Sequence, residues 1–300
     1  MLDPSSCSRS SALARKADKN YLGPMTFDVT ESDRIAHIVL NRPDELNTMT
    51  PEFWRELPRI VDDISDRGAA RAIVISSTGK HFSAGMDISV FTDGGLEDDS
   101  EIEVGRARAN FRYNVLHLQD TFTSFERARM PVLVAAHGGS VGAAVDLATA
   151  ADCRYATEDA WFCIEEINIG MTADVGTLQR LPKLIPEGVA REMAYTGERM
   201  SAARAKEVGL VNEVYADHAT MLDSVMGIAE RIASRSPLAI HGTKEMINYT
   251  RDHSVADSLD YIAAWQTGMF QPADLMESFA ARMEKRDPVY DDLPELKRGL

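Results

Sequence analysis

Three acids stand in stretches where acids are seldom left without a partner or a task. Asp146 lies among Ala144, Val145, Leu147 and Ala148, Glu166 lies between Ile164 and Ile167, and Asp174 has Met171, Ala173 and Val175 around it. Asp and Glu are rarely buried unless they are paired or used. In dry surroundings their pKa values rise, and such a carboxyl can give or take a proton near neutrality. Taken singly, each could equally be a capping or ion-paired acid. Two loops of small residues accompany them. Lys80-His81-Phe82-Ser83-Ala84-Gly85-Met86-Asp87 follows the apolar run Arg71–Ser77, and Gly138-Gly139-Ser140-Val141-Gly142 follows Val132–His137. Loops at the carboxyl ends of strands are where open α/β sheets hold ligands. Small residues let backbone N–H groups approach a ligand, and two such amides converging on one point would make an oxyanion hole. The same glycines also serve as plain turn and close-packing residues.

The second loop fits G-x-S-x-G, the nucleophile elbow of α/β-hydrolases, with Ser140 at its centre and His253 downstream. A serine hydrolase is therefore a rival reading, but it leaves the three acids without a role.

The elements that must carry these groups follow from periodicity. Phe27–Thr30 and Ile35–Leu40 read as two strands around the turn Glu31-Ser32-Asp33, and Asn41-Arg42-Pro43-Asp44 as a further turn. Thr50-Pro51 is a helix start, with Thr as N-cap and Pro at the first helical position. Phe53, Trp54, Leu57, Ile60, Val61 and Ile64 continue it at helical spacing. Arg71–Ser77 and Val132–His137 are buried strands, Cys153–Ala156 and Trp161–Ile164 shorter ones. Acid-rich Asp93–Glu103 reads as a solvent loop, and helical patterning resumes through Val115, Leu116 and Leu118. After the second loop Ala143–Ala151 is helical, and from Thr177 onward the chain reads as helical throughout. Strands with helices, then helices alone, imply an α/β fold with a helical C-terminal part. The expected division is a flexible tail over 1–24, a core over 25–215 and a helical segment over 216–300.

A chain of 300 residues can bury roughly three quarters of its unfolded surface and needs no metal or disulfide to fold. Acids outnumber bases 47 to 32, for a net charge of −15, which argues against a nucleic-acid partner. No apolar run approaches the length of a membrane span. Cys7, Cys153 and Cys163 are too few and too scattered for a disulfide framework or a metal site, so a reducing compartment and a cytoplasmic location are expected. The Ser-rich start, with Arg9, Arg15, Lys16 and Lys19, lacks the apolar stretch of a secretory signal, and the final Arg-Gly-Leu is not a peroxisomal address.

The segments KHFSAGMD, MPVLVAAHGGSVGAAVDLATAADCRYATEDAWF and FAARMEKRDPVY together resemble the crotonase (enoyl-CoA hydratase/isomerase) superfamily, over about Met25 to Tyr290. EEINIGMTADVGTLQRLPKLI and TRDHSVADSLDYIAAW are most similar to its Δ3,5-Δ2,4-dienoyl-CoA isomerase branch, since plain hydratases carry a small residue where Asp174 stands. The resemblance implies a spiral of ββα units with a helical C-terminal segment used in trimers or hexamers. It implies a coenzyme A thioester as substrate, no separate cofactor, no metal and a role in fatty-acid β-oxidation. It places the thioester oxygen between the amides of Met86 and Ala143, with Ala84, Gly85, Met86, Asp87, Ile88, Gly142 and Ala143 along the substrate. It makes Asp146, Glu166 and Asp174 the catalytic set. One carboxylate would take the C2 proton of a 3,5-dienoyl thioester and another deliver a proton at C6. Asp174 as base and Glu166 as acid is the first assignment, with the roles open to exchange. Enoyl-CoA hydration and Δ3-Δ2 isomerisation are the alternatives within the superfamily. The chain departs from the usual Gly-Gly-Gly at Gly142-Ala143-Ala144, which keeps the amides but narrows the space beside them.

Overall fold

The computed structural model describes residues 26–92 and 103–297. The expected tail over 1–24 and the acid-rich loop, except Glu103, lie outside the described residues. The chain opens with a hairpin of β1 (Phe27–Ser32) and β2 (Ile35–Leu40). Its two turn residues, Asp33 and Arg34, both have positive φ, which matches the twist of the flanking strands. A short 3₁₀ turn, Pro43–Glu45, leads to α1 (Pro51–Arg67). Thr50 caps that helix by accepting from the Phe53 N–H, and Gly68 closes it in the left-handed region. Pro58 inside α1 has no N–H for the Trp54 carbonyl, and the Thr121 hydroxyl donates to that carbonyl instead.

β3 (Ala72–Ser77), α2 (Ser89–Thr92), α3 (Val104–Arg127) and β4 (Val132–Ala136) follow. Next come β5 (Gly139–Val141), α4 (Ala143–Ala150), β6 (Cys153–Thr157) and β7 (Trp161–Cys163). The chain continues through α5 (Thr177–Leu184), α6 (Glu187–Thr196), β8 (Met200–Ser201), α7 (Ala202–Val208) and β9 (Glu213–Tyr215). It ends in α8 (His218–Ala233), α9 (Pro237–Thr250), α10 (Val255–Met269) and α11 (Pro272–Glu284). The chain is thus not purely helical after Thr177, because β8 and β9 return to complete two sheets. Both are only two or three residues long, too short to leave a periodic signal.

The larger sheet has the order β1-β2-β3-β4-β6-β9, parallel from β2 onward. β3 and β4 are buried on both faces, as parallel strands between helices must be. Alternation sorts their side chains. Ile73, Ile75, Val132 and Val134 join the core with Phe53, Trp54 and Leu57 of α1 and Phe122 and Phe125 of α3. Ala72, Val74, Leu133 and Ala135 face the other way, onto Met221, Val225 and Ala229 of α8. The smaller sheet has the order β5-β7-β8; one parallel bridge joins Ser83 of the first loop to Ser140 of β5, and another joins Met86 of that loop to Met49, just before α1. This is an α/β fold with a helical C-terminal part. The last residues return to the core, where Arg71 donates to the Tyr290 carbonyl and Arg129 to that of Pro294.

Candidate active site

Register builds the site. Ser83 pairs in parallel with Ser140, so Met86 and Ala143, each three residues further on, come out opposite one another. The loops touch there: a Cβ added to Gly85, whose φ is +85°, would lie 2.5 Å from the Val141 oxygen and 3.5 Å from the Ala143 nitrogen. Only glycine allows that approach. The bridge to Met49 uses the Gly85 carbonyl and the Asp87 N–H, so the Met86 N–H points away from it. Ala143 is the first residue of α4, where N–H groups have no partner within the helix. Among the described residues neither amide has an acceptor.

β5 pairs in parallel with β7, and the Gly142 N–H continues the ladder to the Cys163 carbonyl. The same register brings Glu166, on the 3₁₀ turn Glu165–Ile169, over the second loop. A Cβ at Gly142, φ +53°, would sit 3.1 Å from Glu166 Oε1. Asp146 lies one turn into α4, 1% exposed, and its Oδ1 accepts from the Thr177 N–H at 2.5 Å. That bond pins the loop carrying Asp174, which is also held where Gln119 Nε2 donates to the Asp174 carbonyl at 2.7 Å and Arg180 Nη1 to that of Val175.

A cavity of about 450 Å³ collects the groups. Ala84, Gly85, Met86, Gly142, Ala143, Glu166 and Asp174 all line it, with Trp54, Met171 and Val175 as apolar wall. Asp146 stands behind the wall. Asp87 and Ile88 do not line the cavity: Ile88 is 75% exposed, and Asp87 turns to the Thr48 and Ser89 hydroxyls. Those bonds, Thr48 foremost, hold the Asp87 carboxyl below its usual range, so it braces the first loop as an anion.

The acids are shifted the other way. Burial, and next to it the Asp146 charge, pushes Glu166 up to about 7. Burial pushes Asp146 up to about 6 and also raises Asp174. Glu166 Oε2 and Asp146 Oδ2 are buried with no hydrogen-bond partner among the described residues. The cavity therefore places a carboxyl raised to about 7 beside two backbone amides that have no acceptor among the described residues. That combination can stabilise an enolate while moving protons on and off carbon.

Ser140 is fully buried, and its hydroxyl has no hydrogen-bond partner among the described residues. His253 is exposed and stacks on Tyr249, so it does not serve Ser140. The loops are held by residues other than these acids and glycines. Asn47 donates to the Thr78 and His81 carbonyls, and the Ser83 hydroxyl donates to the Asn47 carbonyl. Their signal was their place in polar, turn-forming segments beside the first loop.

The enoyl-CoA hydratase/isomerase family model matches residues 30–293. A Delta(3,5)-Delta(2,4)-dienoyl-CoA isomerase from Homo sapiens, named as mitochondrial, is 40% identical over 92% of this chain and 84% of its own length. One from Arabidopsis thaliana, named as peroxisomal, is 37% identical over 86% of this chain and 93% of its own. An enoyl-CoA hydratase from Bacillus anthracis superposes with a TM-score of 0.79 at 29% identity, covering 89% of this chain and 99% of that one. These relatives overturn the cytoplasmic location expected from the sequence, since they are named mitochondrial and peroxisomal. The sparse cysteines that suggested the cytoplasm report only a reducing environment, which is not unique to it.

Proposed function

The chain belongs to the enoyl-CoA hydratase/isomerase family, and from that membership we propose that it converts 3,5-dienoyl-CoA to 2,4-dienoyl-CoA. The observation that carries this reading is the pair of carboxyls, Glu166 and Asp174, lining one cavity with Met86 and Ala143. The thioester oxygen accepts from both amides. The C2 hydrogen is acidified by the carbonyl and the adjacent diene. Asp174 takes it, and the enolate charge spreads along the diene while the amides hold the oxygen. Glu166, raised to about 7 chiefly by burial, keeps a proton available at neutral pH and protonates C6. Exchange with solvent restores both carboxyls. Asp146 acts through the Thr177 N–H as a positioning residue rather than touching substrate. Coenzyme A enters as part of the substrate, and the chemistry is carried by the chain's own carboxyls and amides.

The C-terminal helices support a trimer or hexamer. α10 has no buried residue, and Leu259, Met276 and Met283 are 63%, 63% and 80% exposed. Large apolar side chains in that state are commonly covered by another subunit. Among the described residues no helix is long and apolar enough to cross a membrane.

The test of function is ultraviolet detection of the conjugated 2,4-diene from a 3,5-dienoyl-CoA, with crotonyl-CoA hydration run in parallel. The isomerase reading expects the first reaction to dominate. Efficient hydration without diene formation would replace it.

A further inference from the structure

The two loops that present the amides are joined by backbone bonds and by one side chain, which the chemistry above does not use. Phe82 N–H donates to the His137 carbonyl at 2.8 Å, Ser83 N–H to that of Gly139 at 3.2 Å, and Val141 N–H to that of Ser83 at 3.1 Å. At the head of this seam the Gly139 N–H donates to His81 Nδ1 at 2.9 Å. The backbones are in contact there: a Cβ on Gly138, φ +55°, would fall 2.3 Å from the Lys80 oxygen and 2.8 Å from His81 Nδ1. The His81 ring lies edge-on to Trp161, 6.1 Å between centroids, and its own carbonyl accepts from Asn47. His81 thus bonds to the second loop by its ring and to the base of the first by its backbone.

We propose that His81 is a positioning residue that locks the two amide-bearing loops in register, and that it does so only as the neutral imidazole with its proton on Nε2. An imidazole nitrogen accepts a hydrogen bond only when it carries no proton. Protonating Nδ1 would set an N–H against the Gly139 N–H and turn the bond into a repulsion. The seam would open four residues before Ala143 and five before Met86. Amides that stabilise an oxyanion must sit within a few tenths of an ångström of their working positions, so a small opening lowers the rate without abolishing binding. The groups facing the ring favour the neutral form: burial, Lys80 on its own loop, His137 at the end of β4 and Arg199 before β8, against Asp159 before β7.

The kinetic part rests on the isomerase reading, whereas the spectroscopic part does not. With full-length protein labelled at histidine nitrogens, the signals missing from His81→Asn belong to His81. At pH 7.5 they should report a neutral ring protonated at Nε2, and the Gly139 amide should shift as that ring titrates. A ring protonated at Nδ1, or charged at that pH, overturns the proposal whatever the enzyme catalyses. Asn carries an acceptor close to the Nδ1 position and cannot become charged. His81→Asn should therefore keep kcat within a few-fold at pH 7.5 and lose less activity than the unaltered protein between pH 7 and 5.5. His81→Leu leaves the Gly139 N–H without an acceptor, and kcat should drop roughly 10–100-fold with KM little changed, less than the full loss of one oxyanion donor. An unchanged kcat in His81→Leu, or equal damage in both variants, would overturn it. If the unaltered protein does not turn over 3,5-dienoyl-CoA, the isomerase reading fails while the tautomer measurement still decides the role of His81.

Discussion

Two hollows in this chain differ in kind. The larger, about 790 Å³, runs between α9, α10 and α11 and is walled by Leu259, Ile262, Trp265 and Leu275, and polar side chains along it such as Ser236, Thr243, Ser258 and Ser278 are hydrogen-bonded within the chain. The smaller, about 450 Å³, brings together two carboxyls raised by burial and two amides with no acceptor among the described residues. Size does not locate chemistry. What marks the smaller hollow is polarity that the chain buries without satisfying, which is costly unless a ligand completes it. What marks the larger is apolar surface that the chain leaves uncovered, which a second copy would complete. On the function proposed above, substrate would complete the first region and a second copy of the chain the other.

If that division holds, the largest effects on rate come from the smaller hollow. Glu166→Gln keeps the shape but cannot give a proton, and diene formation should fall by about 10²–10⁴-fold. Adding Asp174→Asn should make it little worse, because both serve one proton relay. Losses that multiply would mean the two carboxyls act independently.

The groove should answer differently. Leu259→Asp puts a charge in the centre of its wall, and sedimentation velocity should show the assembly shifting to monomer at micromolar concentration. A monomer before the substitution would remove the distinction between the two hollows.

A smaller effect concerns stability alone. Asp146 rises from 3.8 to about 6 on folding, so folding favours its neutral form. That contribution is fully present below the unfolded value and is lost as pH rises through 6. Roughly two pKa units correspond to about 3 kcal/mol. Asp146→Asn cannot ionise, so the difference between its urea unfolding free energies at pH 4 and 7.5 should lack this component. An unchanged pH dependence would show that folding does not raise the Asp146 carboxyl.

The smallest effect is expected at Ser140. Its hydroxyl is buried and without a partner among the described residues, so Ser140→Ala should keep activity within about two-fold and leave stability unchanged or slightly higher. Covalent labelling of Ser140 by a fluorophosphonate with loss of turnover would revive the hydrolase.

The sequence made the acids visible because apolar neighbours on the same chain, such as Val145 and Leu147 beside Asp146, announce burial locally. The α1 start was equally plain, since Thr50-Pro51 needs nothing beyond its own turn. What stayed hidden depends on pairing across the chain. β8 and β9 are strands only because β7 and β6 lie alongside them. α3 runs from Val104 to Arg127, although its early turns expose Phe111 and Tyr113 and so show no clean apolar face. His81 and Asn47 looked like ordinary loop residues; Asn47 finds its partners in the Thr78 and His81 carbonyls, and only the register of the second loop gives the His81 ring its partner. Asp87, which the family resemblance put along the substrate with Ala84–Ile88, accepts from the Thr48 hydroxyl and does not line the cavity.

The central claim is that Asp174 is one of two proton-transfer groups in the smaller hollow, and Asp174→Asn tests it most directly when assayed on both reactions. Isomerisation of 3,5-dienoyl-CoA should fall by about 10²–10⁴-fold with substrate still bound, while any crotonyl-CoA hydration, which needs Glu166 and not Asp174, should barely change. Full isomerase activity in Asp174→Asn would contradict the claim and return the chain to the hydratase reading.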